Sequence, residues 1–441
     1  MRPLRILHVN TFDQGGGAAQ LAFDLFEGCN AAGHSAWLCV REKTRADKRV
    51  FAIGNEEARH NWAKLCKQVV SRMGGGNRLA RAVGCPWSSA RVLLGHEDFD
   101  FPGTWHLLKD APDPPDLIHL HNLHGSYFDL RALPWLSRQI PTVVTLHDAW
   151  MTSGHCSHSF ACERWSTGCG ECPDLTIYPA VRRDATAYNW RRKQEIYAQS
   201  RLHFALPCRW MMDKLNHSMV APAIASARII HHGIDLSVFQ PGDRMQARQA
   251  LGLPEDAVIL MFASKGIRTN VAKDYVTLRA TLEKLGAYHE NARLIFLAVG
   301  EEGATETIGR AQLRFVPHIA DRKTLAEYYR AADIYVHAAR AEQWGLSITE
   351  AMACGLPVVA SDVGGIPDQV AEGQCGFLVP VGDAEGMAER VSRLLKDKSL
   401  RETMGQQACQ RAQTEFGIPN MTANYLNYYA AVMAHSALPT K

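Results

Sequence analysis

Short and almost unbroken apolar runs, each followed by a polar loop and a helical pattern, constrain this chain more than any other feature. In the first half they are "RILHVN" (5–10), "AWLCV" (36–40), "LIHLH" (117–121), "TVVTLH" (142–147) and "LHFALP" (202–207). The second half repeats the style with "ARIIHHG" (227–233), "AVILMFAS" (257–264), "ARLIFLAVG" (292–300), "LRFVPHI" (313–319), "ADIYVHAA" (332–339), "PVVAS" (357–361) and "GFLV" (376–379). Near-continuous hydrophobicity over so few residues is what a strand covered on both faces requires. Helical patterns separate the runs, for instance at 21–32, 274–286, 323–331 and 384–396. Such alternation predicts parallel sheets in doubly wound α/β domains.

Length sets their number. A chain of 441 residues exceeds what one hydrophobic core usually supports. The hinge is expected at "HHGIDLSVFQPGD" (231–243), rich in Gly, Pro and Asp. We therefore expect one Rossmann-like domain over 1–230, a second over 231–415, and a helical segment over 416–441 that crosses back to the first. Ligands of such domains bind at the carboxyl ends of the strands, so two facing domains would enclose one deep cleft.

Bulk properties exclude several classes of function. A net charge of +3 is too small to argue for nucleic acid as a partner. The apolar stretch in "MRPLRILHVN" is too short for a signal peptide, and no run approaches the ~20 apolar residues of a membrane helix. The expected location is cytoplasmic, at most peripheral on the inner face of a membrane. One segment bears on that contact: "HNWAKLCKQVVSRMGGGNRLARAVG" (60–84) mixes Trp62, Leu65, Val69 and Val70 with Lys64, Lys67, Arg72, Arg78 and Arg81. It reads either as a basic amphipathic stretch for anionic lipid and a lipid-linked acceptor, or as a solvated surface helix.

The chemistry-bearing motifs fall at strand ends. "DQGGGAAQ" follows the first strand and opens a helix. The N–H groups of Gly15, Gly16 and Gly17 are there either for an anionic group or as a tight glycine turn. Arg268 and Lys273 lie on the loop "KGIRTNVAKDY", where two cations either suit a diphosphate or simply belong to a solvated loop. His147 and Asp148 end "TLHDAW", and His119, His121 and His124 sit in "HLHNLHG", as proton shuttles, hydroxyl contacts or structural residues. In "EQWGLSITEAMACGLPVV" (342–359), Glu342 precedes a helix start formed by Gly345, Leu346 and Ser347, and Glu350 lies two turns further on. Two acids flanking a positive helix dipole end match a nucleotide sugar, with the diphosphate between them.

These residues resemble a known family. "EQWGLSITEAMACGLPVVASDVGGIPDQV" is similar to the signature of the retaining glycosyltransferases of family 4, which have the GT-B fold. The likeness extends to the glycine-rich loop, the His-Asp after "TVVTL", "HHGIDLSVFQP" at the domain junction, and the Arg-x4-Lys pair. The resemblance implies that Glu342 contacts the donor sugar, Glu350 the ribose hydroxyls, and Arg268 and Lys273 the diphosphate of a UDP- or GDP-sugar. It further implies that His147 lies near the transferred sugar, with His121 and Asp148 on the acceptor side. The first domain would bind the acceptor and the second the donor. Two features depart from the family pattern: His232-Gly233 replaces its Asn-Gly, and Gly266 stands two residues before Arg268. "HDAWMTSGHCSHSFACERWSTGCGECP" resembles the bacterial exopolysaccharide and colanic-acid-type branch, implying a glycan or polyprenyl-linked acceptor in surface polysaccharide synthesis.

The expected reaction is hexosyl transfer with retention. Arg268, Lys273 and the helix start would stabilise the leaving diphosphate without a catalytic metal. An Asp-x-Asp, Asp98 and Asp100, is short enough to arise by chance and is set aside. No acid is placed as a covalent nucleophile, so double displacement stays open beside same-face attack guided by the leaving phosphate. Four of the twelve cysteines cluster as Cys156, Cys162, Cys169 and Cys172. That spacing suits a tetrahedral structural zinc, with His155 or His158 able to replace one ligand. A redox or disulfide pair, or unliganded thiols, are the alternatives. Other function classes remain: a nucleotide-sugar epimerase or hydrolase, needing no acceptor, and a non-catalytic sugar-nucleotide-binding protein, tolerating loss of either acid.

Overall fold

The structure, a computed structural model, describes residues 2–72, 76–288 and 293–436. The chain forms two compact units. The first comprises the chain up to Pro207, Met211–Ile230 and the residues from Thr422 on; the second comprises Cys208–Trp210 and His231–Met421.

The first unit is built on β1 (Arg5–Phe12), β2 (Ser35–Glu42), β3 (Val50–Ala52), β4 (Leu117–Leu120), β5 (Thr142–Thr145), β6 (Leu202–Leu206) and β7 (Ile224–Ile229). They form one parallel sheet in the order β3-β2-β1-β4-β5-β6-β7. The second unit contains β8 (Val258–Ala263), β9 (Leu294–Val299), β10 (Glu306–Ile308), β11 (Ala311–Val316), β12 (Ile334–His337), β13 (Val358–Ser361) and β14 (Gly376–Val379). Its order is β10-β11-β9-β8-β12-β13-β14, parallel except for the β10–β11 pair. The strands β4, β5, β9 and β12 are buried along their whole length. Each fully buried Val, Leu or Ile there contributes about 1.5–3 kcal/mol.

Topology explains where a ligand can sit. The strand order reverses between β1 and β4 in the first sheet, and between β8 and β12 in the second. Connections leave the carboxyl ends of these paired strands in opposite directions and open a crevice, the topological switch point of a doubly wound sheet.

The structure differs from the sequence reading in three places. "ARIIHHG" was expected in the second half, but its residues up to Ile229 belong to β7, which pairs with β6 in the first sheet. The edge strands β3 and β10 span three residues each, too few to show a period. The stretch 60–84 is two helices, Asn61–Arg72 and Asn77–Gly84, followed by a third, Pro86–Leu93; residues 73–75 and the Arg78 side chain lie outside the described residues.

The last helix, Ile418–Ser436, enters the first unit from Thr422 rather than from 416. There it buries three tyrosines, whose hydroxyls meet side chains of the sheet: Tyr429 with His119 Nδ1 at 2.7 Å, Tyr425 with Thr145 Oγ1 at 2.9 Å, and Tyr428 with Ser226 Oγ at 2.8 Å. Residues 437–441 of the expected segment lie outside the described residues.

Candidate functional site

In the second unit the loops leaving β8 and β12 are joined by backbone bonds. Asp274 N donates to Ala338 O at 3.1 Å and Arg340 N to Ala272 O at 2.8 Å, forming an antiparallel bridge between Lys273 and Ala339. This brings Lys273 Nζ onto Glu342 Oε2 in a charge-assisted hydrogen bond. His337, the last residue of β12, places Nε2 at 3.4 Å from both Glu342 Oε2 and Lys273 Nζ. Burial works against the Glu342 charge, yet Lys273 and His337 outweigh it and hold the carboxyl well below its usual range. Burial, reinforced by Lys273, lowers His337 to about 4, so the imidazole is neutral near pH 7. The site therefore offers a cation, an anion and a neutral imidazole within one hydrogen-bonded group.

Glycines position this group. Gly365 N donates to Glu342 O at 2.9 Å. A Cβ on Gly364 (φ 59°) would lie 1.9 Å from the same carbonyl oxygen. The helix Leu346–Ala353 starts beside this loop with Gly345 as its N-cap. Gly345 N, expected to face an anion, instead donates to Gln369 Oε1 at 3.0 Å, and Gln369 Nε2 donates back to Gly345 O at 2.8 Å. The Gly345 contact is thus corrected; a helix start leaves the N–H groups of Leu346 and Ser347 without intrahelical acceptors. Glu350 accepts a hydrogen bond from Tyr329 Oη at 2.9 Å, and burial raises its pKa.

Arg268 is also corrected. Its Nε donates to Glu301 Oε1 at 2.6 Å, its backbone N to Glu301 Oε2 at 2.8 Å, and its guanidinium lies 4.5 Å from the centroid of the Phe315 ring. Its charge is committed to Glu301, and Gly266, two residues earlier, has left-handed backbone (φ 65°).

At the switch point of the first sheet the arrangement is a chain of imidazoles. His8 Nδ1 meets His121 Nε2 at 3.2 Å, and His121 Nδ1 meets His147 Nε2 at 3.0 Å. His119 uses both ring nitrogens, on Tyr429 and on Thr145 Oγ1 at 2.8 Å. Burial lowers His8 to about 3 and His147 to about 4. Asp148 does not bond to His147; it pairs with His124 Nε2 at 2.6 Å and accepts from Trp150 N at 2.9 Å. Although burial opposes it, Asp148 raises the pKa of His124. Gly15 and Gly16, at φ 87° and 85°, lead into the helix Gly17–Ala31, and open space surrounds them. A cavity of about 680 Å³ within this unit is lined by Arg81, Leu93, His124, Trp150 and Arg182 among others.

His8, His119 and His121 are the one metal-capable trio among the described residues whose ligand atoms lie within 4.8 Å of one another. The hydrogen bonds just described already occupy both nitrogens of His119. Cys156, Cys162, Cys169 and Cys172 are free and, with His155, line one small cavity, their sulfurs spread more widely than that trio. Asp98 and Asp100 have structural partners: Asp98 accepts from Ser88 Oγ at 2.9 Å, and Asp100 pairs with Arg59 at 3.5 Å. The sequence reading missed His337, Gly364, Gly365 and Gln369. The Gly-Gly of "DVGGIPDQ" was a legible signal of close backbone approach; His337 resembled any other residue of a buried strand.

Comparison with known proteins agrees with this architecture. The family described as Glycosyltransferase Family 4 matches residues 15–238, and that described as Glycosyl transferases group 1 matches residues 243–411. A D-inositol 3-phosphate glycosyltransferase of Kribbella flavida is 36% identical over 203 residues, covering 43% of this chain and 47% of that protein. One from Thermobifida fusca is 32% identical over 203 residues, 43% of this chain and 46% of its own length. The chain spans about half the length of the curated relatives it matches. Among solved structures, sucrose-phosphate synthase from Thermosynechococcus elongatus superposes with a TM-score of 0.64 at 19% identity, covering 98% of this chain and 100% of that one. Anabaena HepE in complex with UDP and glucose gives 0.61 at 16% identity, covering 97% and 100%. These structures share the fold, two Rossmann-like parallel-sheet domains of GT-B type. With a family match over half its length, the chain belongs to glycosyltransferase family 4.

Proposed function

We propose that the protein transfers a hexosyl group, with retention, from a nucleotide-diphosphate sugar to a lipid-linked glycan acceptor. The observation that carries this reading is the Lys273–Glu342–His337 group at the switch point of the second sheet. Lys273 supplies positive charge for a leaving diphosphate, and the N–H groups of Leu346 and Ser347 add the positive end of a helix. Glu342, ionised beside them, accepts hydrogen bonds from sugar hydroxyls, and Glu350 does the same for the ribose. His147, neutral near pH 7, suits a sugar hydroxyl rather than an anionic group. HepE, of the same fold, binds UDP and glucose, which supports a nucleotide-sugar donor.

A lipid-linked acceptor finds support in the helices between residues 60 and 96. That stretch contains six Lys or Arg and no Asp or Glu. Trp62, Leu65, Leu79, Val83, Trp87 and Leu93 are all more than 45% exposed there. Basic residues interleaved with exposed apolar ones suit an anionic lipid surface, and no helix of the described residues is long and apolar enough to cross a membrane. A second reading follows from the relatives' names: a phosphorylated polyol such as inositol phosphate as acceptor.

The test is a panel of UDP- and GDP-sugars with polyprenyl-linked and inositol-phosphate acceptors, with the product anomer assigned by NMR. Transfer with retained configuration and without added divalent metal is expected. An inverted anomer, or an isomerised sugar without acceptor, overturns the reading. Transfer to inositol phosphate alone keeps the transferase and replaces the acceptor.

A further inference from the structure

Between β5 and the helix Thr186–Ala198 the chain runs through residues 146–185 with only two 3-10 turns, Trp150–Thr152 and Arg164–Ser166. Irregular segments longer than ~12–15 residues are uncommon in compact domains, and an ordered one must be held by something other than secondary structure. Parts of this one are nonetheless buried, including Trp150, Met151, Ser153, His155 and Ser157. Their burial fixes backbone that no sheet or helix holds.

The cysteines are distributed accordingly. Seven of the other eight are buried, and Cys85 is partly so. The four in this segment are partly exposed and line a single cavity of about 20 Å³ together with His155. That is roughly the room one small sphere needs. Gly154 N donates to Cys169 Sγ at 3.3 Å, and His155 Nε2 lies 3.3 Å from Cys172 Sγ. Around the last pair, Gly168, Cys169, Gly170 and Glu171 all have positive φ, at 140°, 54°, 92° and 46°. Left-handed backbone at Cys and Glu is strained and persists only where the surroundings over-determine it.

Lys193 and Lys214 are 0% and 5% exposed, and both stand near enough to these thiols to interact with their charge. Lys193 pairs with Glu97 at 2.9 Å. Lys214 donates to Ser159 Oγ at 2.7 Å and lies 3.6 Å from the Trp165 ring centroid.

We propose that Cys156, Cys162, Cys169 and Cys172 hold one structural zinc ion that pins the segment 146–185 behind His147. Each thiol gives up its proton to solvent on binding, and the sulfurs close to about 2.3 Å from the ion. His155 packs against Cys172 as an outer partner. The zinc takes no part in glycosyl transfer, so the proposal stands or falls apart from the transferase reading.

The full chain, purified under reducing conditions without chelator, should contain about one zinc per polypeptide by elemental analysis. Exchange with cobalt should give thiolate-to-metal charge-transfer bands and the visible bands of a tetrahedral tetrathiolate. Cys162→Ser and Cys169→Ser should lose the metal, and Cys85→Ser should keep it. If the loop variants fail to fold, the cobalt spectrum of the unaltered chain decides. A chain that takes up neither metal and whose four loop thiols alkylate freely while folded overturns the proposal, as does a disulfide among them found by mass spectrometry.

Discussion

At the carboxyl ends of β8 and β12 a cation, Lys273, touches an anion, Glu342. On β1 and β4 and at the carboxyl ends of β4 and β5 four histidines, His8, His119, His121 and His147, touch one another and neutral hydroxyls. Both groups occupy the switch point of a doubly wound sheet, so topology alone does not distinguish them. Depth does. His8 and His119 lie on strands covered on both faces, where desolvation removes charge. Lys273 and Glu342 lie on loops, 12% and 14% exposed, and each makes the other's charge tolerable. Under the proposed function, the charged group of the second unit would meet a diphosphate leaving group, and the neutral group of the first a sugar or an acceptor hydroxyl.

The largest expected effect follows from removing the anion. Glu342→Gln preserves volume and discards the charge that Lys273 and His337 support. Turnover should fall about 100- to 1000-fold, the range for removing one preorganised electrostatic contact. Affinity for UDP or GDP, measured by calorimetry, should change little. Parallel loss of both would place Glu342 at the nucleotide and erase the division of labour between the two ends.

Glycines sharpen the same comparison. Gly15 and Gly16 at the first switch point stand in open space, whereas Gly364 at the second has no room for a methyl group. Gly364→Ala should shift the Glu342 loop and lower turnover about tenfold or more, with a stability loss of at least the ~1–3 kcal/mol of a forced left-handed residue. Gly15→Ala pays only the conformational part. Kinetics and thermal melts of both variants decide the point, and equal effects would remove the contrast.

Acid should separate the two units. The folded state lowers His8 to about 3 and His147 to about 4 in the first unit, and His337 to about 4 in the second. His119 is lowered as well by burial. Below the ordinary histidine value near 6.5 the unfolded chain binds protons that the folded chain refuses. Stability therefore falls as pH drops toward 4, by up to about 1.4 kcal/mol per pH unit for each such histidine. His124, raised by Asp148, contributes stability that is fully present below about 6.5 and lost only as pH rises through its folded value, so it does not counter the loss at lower pH. Glu342 adds loss only below the ordinary carboxylate range. Hydrogen exchange between pH 7 and 5 should show β1, β4 and β5 losing protection before β8 and β12; the reverse order would contradict this electrostatic account.

Much of this was legible in the sequence, for physical reasons that differ by element. The buried strands announced themselves because dehydration on both faces leaves only apolar residues. Glu342, Lys273, His147 and His121 were singled out because they lie on loops after such strands, and the fold does place each of them there. Gly345 was assigned to a ligand, yet Gln369, twenty-four residues away, takes its N–H. Arg268 was paired with Lys273 by spacing, yet Glu301 on another loop holds it. Partners brought in by the fold from distant positions leave no local pattern, and the same holds for His337.

That competition for Arg268 gives the smallest and most specific prediction. The pair is partly exposed, at 40% for the arginine and 16% for the glutamate, and an exposed pair is worth only about 0.2–1 kcal/mol. Glu301→Gln should release the guanidinium at about that cost. If Arg268 then serves the diphosphate, affinity for UDP or GDP should tighten by about two- to fivefold, and added salt should erase the gain. Arg268→Ala in the same background should return the affinity to its starting value. Unchanged binding in both variants would leave Lys273 as the phosphate cation and make Arg268 a strut that ties its loop to Glu301. In that case the charged end of the comparison would rest on one cation rather than two.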